Sequence, residues 1–120
     1  MKKFGLKEII VDMGMFDYRI FVVVGPHCGL EKYVQLRYDD KNFKTEDNAR
    51  GKTIYRTGYV PIIWIPRKPK TAREHSTLAH EAHHAVRHLF NWAGIERNDE
   101  TEEVAAHALG HIVNEILKRA

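Results

Sequence analysis

Ser76-Thr77-Leu78-Ala79-His80-Glu81-Ala82-His83-His84-Ala85-Val86 decides how the rest of the chain is read. It contains His80-Glu81-x-x-His84, two histidines one helical turn apart with a glutamate next to the first. On a helix, residues four apart share a face, so both imidazoles can reach one metal ion. Glu81 can then take a proton from water bound on the metal's open side. Imidazole donors with a neighbouring carboxylate base suit Zn2+, and the reaction expected is hydrolysis of a peptide bond in a peptide or protein substrate.

Outward from this stretch, Leu78, Ala82, Val86, Leu89 and Ala93 recur at helical spacing and predict a metal helix over about residues 76–93, ended by Gly94. His80, His84 and His88 form a stripe beside that apolar arc. His83 is expected to face solvent, because only His84 leaves Glu81 in the base position. His88 cannot share a metal with His80, since eight residues of helix span about 12 Å.

A catalytic zinc needs a third protein ligand and one open position. Arg87 and Phe90 stand where a metzincin would have Gly and His, which excludes that class. The remaining donors lie on a second helix over about 99–118, begun by Asn98-Asp99 and carrying Glu100, Glu102 and Glu103 at its positive end. Ala105, Ala106, Leu109, Ile112, Val113, Ile116 and Leu117 give this helix an apolar face, and Lys118 and Arg119 suit its C-terminal end. Glu103 is the first choice, with small Ala106 and Gly110 on nearly the same side to allow close approach. Glu102 projects toward the apolar arc, where it would be tolerated if it bound the metal. His107 or His111 would make a three-histidine site instead.

The N-terminal half reads as strands. Glu8–Val11 is short; Phe16–Val24 is rich in β-branched and aromatic residues and ends at Gly25-Pro26. Glu31–Tyr38 alternates like a half-buried strand and would pair with Phe16–Val24 in a hairpin. Residues 39–51 are polar and aperiodic, a surface loop. Thr53–Arg56 and Tyr59–Ile65 bracket Thr57-Gly58 as a second hairpin. Pro61 makes Val60–Ile65 either an edge strand that could receive an extended substrate, or a buried strand with the proline at its start. Pro66 to Arg73 is a basic connector, not helical because of its two prolines.

Composition sets the outer limits. The chain has 120 residues, 43% hydrophobic and 29% charged, which fits one globular domain over 1–120. No apolar run approaches the roughly 20 residues that cross a bilayer, and Lys7 and Glu8 interrupt the start of any leader. The one cysteine, Cys28, excludes an internal disulfide and a thiolate-rich zinc site, so a cytoplasmic compartment is expected. A net charge of +3 does not by itself point to nucleic acid, whereas eight histidines in a chain this short point to metal.

Thr77 to Ala85, then Gly94-Ile95, then Glu103-Val104-Ala105-Ala106-His107-Ala108-Leu109-Gly110-His111-Ile112-Val113, resembles small gluzincin-like metallopeptidases of bacteriophages and prophages. In that family a strand precedes the His-Glu-x-x-His helix, and a second helix carries the ligand glutamate in a Glu-x-x-Ala-x-x-x-Gly context. The resemblance covers roughly residues 60–118. It implies His80, His84 and Glu103 as zinc ligands and Glu81 as base, in the cytoplasm of a bacterial host. It also implies an α+β, minimal zincin-like fold, with a small, mainly antiparallel sheet over about 8–65 packed against the two helices. The family often has tyrosines where this chain has His107 and His111. Beside this reading stand a non-catalytic zinc-binding accessory protein, a metal-free one, and a zinc protease acting near DNA through Arg67, Lys68, Lys70 and Arg73.

Overall fold

Phe4 and Gly5, both at positive φ (56° and 79°), turn a two-residue strand, Lys2–Lys3 (β1), back into Leu6–Asp12 (β2). The computed structural model describes residues 2–46 and 50–120, so the surface loop expected over 39–51 lies partly outside the described residues. β2 pairs antiparallel with Arg19–Val24 (β3), in register from Lys7 opposite Val24 to Asp12 opposite Arg19. The strand expected from Phe16 starts three residues later. Gly14–Phe16 is instead a 3-10 turn whose first amide donates to Asp12 Oδ1 at 2.8 Å.

The strand expected at Glu31–Tyr38 is a helix, Leu30–Arg37 (α1), and its hairpin with the preceding strand does not form. The burial pattern gives the reason. Leu30, Tyr33, Val34 and Tyr38 are buried at helical spacing, while Leu36, on the supposed apolar side of the strand, is 58% exposed. Polar bonds hold α1 to the sheet: Tyr33 Oη and the Arg37 guanidinium both donate to Glu8. Burial works to raise the Glu8 carboxyl, but these two donors hold it below its ordinary value.

Lys52–Ile54 (β4) and Ile62–Ile65 (β5) form the second expected pair, antiparallel with Thr53 opposite Ile63. β5 also lies parallel to β3, giving a mixed sheet in the order β1-β2-β3-β5-β4. All four β5 residues are buried, so the alternative of a buried strand just after a proline is the one observed. The open edge beside the next helix belongs to β4.

Ala72–Ala93 (α2) starts earlier than expected, because Thr71 and Glu74 form a reciprocal capping box. The last residues of the basic connector therefore lie in the helix. Gly94 ends it at φ 71°, as expected. Glu102–Arg119 (α3) completes the chain. Asn98 caps the turn before it, accepting from the amides of Glu100 and Thr101.

The sheet is thus covered on both faces, α+β in composition, with α1 on the side where no helix was expected. Ile9, Val11, Ile20, Val22, Ile63 and Ile65 meet Leu78, Ala82, Val86 and Leu89 of α2 and Ala105, Ala108, Ile112 and Ile116 of α3. Val23, Ile62 and Trp64 meet α1 on the other face. Beyond the reach of β1, the outer carbonyls of β2 are met by α3: His111 Nε2 lies 2.8 Å from Asp12 O, and Arg119 Nη1 donates to Ile10 O at 2.8 Å. Among the described residues no helix is long and apolar enough to cross a membrane.

Candidate functional site

Helical phase sets how the histidine stripe meets the sheet. Each step of four residues advances about 40° beyond a full turn, so His80, His84 and His88 drift progressively toward the packed side of α2. His80 is exposed and His84 half-buried. His88 is stacked on Tyr55, with centroids 3.7 Å apart and ring planes within 9°, and its Nδ1 is buried without a hydrogen-bond partner. Burial, then the neighbouring charges of His84 and Arg87, push its imidazole below its ordinary value. His88 thus packs the end of the stripe. His83 is exposed, as expected.

His80 Nε2 and His84 Nε2 are 3.1 Å apart, with the ring planes at 86°. Two nitrogens on a tetrahedral zinc at about 2.0–2.1 Å would stand about 3.3–3.4 Å apart, so the pair fits a metal chelate with a shift of a few tenths of an ångström. Glu81 lies on the same flank of the helix, turned toward β4. It is the one buried charged side chain among the described residues, at 8% exposure. Thr53 holds it: the Thr53 hydroxyl is 2.8 Å from Glu81 Oε1 and 2.9 Å from the Glu81 main-chain oxygen. Since a hydroxyl has one proton, Thr53 donates to one of these acceptors at a time.

Gly51 lets the strand come this close. A Cβ there would lie 2.8 Å from Thr77 Cγ2 and 3.3 Å from Glu81 Cγ. The resulting open cavity of about 540 Å³ is lined by Arg50, Gly51, Arg73, Thr77, His80 and Glu81, among others.

The structure does not bring Glu103 to the histidine pair. Its side chain is 82% exposed and pairs with His107, from the next turn of its own helix, at 3.3 Å. The expected close approach through Ala106 and Gly110 is not made: both are exposed, and nothing lies within 4 Å of a Cβ at Gly110. Ala105 and Ala108 are instead the small residues of this helix buried in the core it shares with α2 and the sheet. Glu102 is exposed rather than aimed into the apolar arc, and His111 is bonded to Asp12. Among the described residues no group of three His, Cys, Asp or Glu side chains is placed to hold a metal ion. The described residues therefore fit two imidazole donors, with no third donor among them in place.

His75, Tyr59, His107 and His111, side chains able to donate to an oxyanion, all have partners of their own. His75 Nδ1 is 2.8 Å from Thr71 O, and His107 and His111 are engaged as described. Tyr59 lies against Tyr38 and lines a different cavity with Trp92. Arg50, Gly51 and Thr53 were not singled out from sequence, since nothing in the polar stretch before β4 marks it as a neighbour of α2. In comparison with known proteins, no family model, no curated protein and no solved structure matches the chain.

Proposed function

We propose that the chain is a zinc-dependent metallopeptidase in which His80 and His84 hold the metal and Glu81 is the general base. The observation that carries this reading is the 3.1 Å separation of the two Nε2 atoms beside a carboxylate fixed in a cavity wall. A zinc ion there would supply Lewis acidity, lowering the pKa of bound water and polarising the scissile carbonyl. Thr53 engages Glu81 Oε1 and orients the carboxylate, leaving Oε2 to accept the proton of the attacking water and return it to the leaving amine. β4, a sheet edge beside α2, offers an extended substrate a strand to pair with. Glu103 is proposed as third ligand from its place on the following helix; its exposed side chain would exchange its pairing with His107 for the metal.

One observation favours a second reading, a non-catalytic zinc-binding protein: among the described residues two donors stand together without a third. Elemental analysis of freshly purified protein and the Glu81→Gln variant separate the two. The peptidase reading expects stoichiometric zinc in both proteins and cleavage of a denatured protein substrate lost in the variant. Cleavage undiminished by Glu81→Gln would remove Glu81 as base, and protein without stoichiometric zinc would remove the metal.

A further inference from the structure

The cavity beside His80 and Glu81 adjoins a second, of about 310 Å³, and Arg50, Arg73 and Thr77 line both. Their charges do not balance. Glu74 is paired with Arg67 and engaged by the amides of Lys70 and Thr71, which leaves the single Glu81 carboxylate, bonded only to the neutral Thr53 hydroxyl, against two arginines. Arg50 and Arg73 are exposed and have no anionic partner among the described residues. Among the described residues the groove therefore presents two guanidinium groups without an ion-pair partner on one side of the histidine pair.

From this imbalance we propose that the groove takes an extended peptide and seats a carboxylate of that peptide between Arg50 and Arg73. Guanidinium groups suit this ligand because they present paired N–H donors to a carboxylate. Spacing sets where the carboxylate falls. Arg73 is two helical turns before His80 on the same face of α2, about 10.5 Å along the axis. An extended chain advances about 3.3 Å per residue, so the carboxylate lies about three residues from the bond nearest His80.

Direction follows from β4, which runs alongside α2 in the same sense. Gly51 lies against Thr77, Thr53 against Glu81, and Tyr55 against His88. Antiparallel addition to β4, the slightly more stable pairing, points the peptide's C-terminal end at Arg50. A nucleic-acid backbone fits less well, because its successive phosphates would run from the arginines past the Glu81 carboxylate, whereas the peptide needs one anionic group at the arginine end.

The proposal rests on the peptidase reading only for which bond faces the histidines; binding itself is measured without turnover. The test is an NMR titration of the full-length Glu81→Gln chain, with and without zinc. The probes are an N-acetylated hexapeptide of uncharged residues with a free C-terminus, its C-terminally amidated and therefore neutral twin, that twin with one internal glutamate, and a short DNA duplex. One of the two carboxylate peptides is expected to bind about tenfold more tightly than the neutral amidated twin. Which one does so tells a terminal from a side-chain carboxylate. Arg50→Gln and Arg73→Gln should each remove that preference and leave binding of the amidated twin unchanged. Absence of peptide binding, equal binding of all three peptides, a preference that survives both substitutions, or binding of the duplex alone would each overturn the proposal. A carboxylate preference without zinc binding would sink the peptidase reading and keep this one, and zinc-dependent cleavage by the wild-type chain without the preference would do the reverse.

Discussion

Thr53 Oγ1 stands 2.8 Å from Glu81 Oε1, so a single hydroxyl on a three-residue edge strand fixes the proposed base on the helix beneath it. Thr53→Val keeps the shape and removes the donor. It should cost about 1–3 kcal/mol of stability, the cost of leaving a buried acceptor unpaired. Thr53→Ser should recover most of it. Denaturant midpoints of the two variants make the comparison. If the chain is a peptidase, kcat should fall in Thr53→Val with KM nearly unchanged, because the substitution affects the base rather than substrate contacts.

Gly51→Ala should destabilise the junction of β4 and α2 by about 1–3 kcal/mol, since its new methyl would meet Thr77 Cγ2 at 2.8 Å. Thr77→Ser removes that methyl. The double variant should regain stability relative to Gly51→Ala alone, giving a favourable coupling in a double-mutant cycle. Strictly additive effects would mean that the two residues are not in contact.

Zinc should raise the melting temperature of the wild-type chain, by an amount equivalent to about 2.7 kcal/mol when free zinc is 100 times its dissociation constant. His80→Ala and His84→Ala should each abolish the rise. His83→Ala should keep it, because that ring faces solvent. Thermal unfolding with and without a chelator reads all three.

Acid should loosen the start of α2. The Arg67 guanidinium, with the amides of Lys70 and Thr71, holds the Glu74 carboxyl down from an ordinary 4.5 to about 2. A depressed carboxylate gives stability that is present above its unfolded value and lost as pH falls through its folded one. The melting temperature of the wild type should therefore fall more steeply than that of Glu74→Gln between about pH 4.5 and 2. Parallel curves would mean that the capping box does not titrate as described.

The C-terminal half of the fold was legible because α2 and α3 are long enough for helical periodicity to fix their faces. Leu78, Ala82, Val86 and Leu89 are core residues, as their spacing predicts. α1 was not, since eight residues from Leu30 to Arg37 satisfy both the strand and the helix period, and only the exposure of Leu36 separates them. The start of α2 was written in Thr71 and Glu74 but obscured by the prolines just before it. In the site, sequence spacing brought out His80, Glu81 and His84 because they share one helix. It could not orient Glu103, since rotating α3 by one residue turns a side chain about 100°. Nor could it find Thr53 or Arg50, which reach the helix only through sheet pairing.

The two ends of the sheet are finished differently. On the β2 side, the His111 ring and the Arg119 guanidinium sit against the carbonyls of Asp12 and Ile10, so another strand would have to displace them before docking there. On the β4 side, the brevity of the strand and the charge of Lys52 are what discourage self-association. Lengthening β4 or replacing Lys52 with an apolar residue should therefore make the protein prone to pair with copies of itself, and that pairing would form at the edge beside Glu81. The same opening that admits a guest strand is where the molecule is most exposed to aggregation.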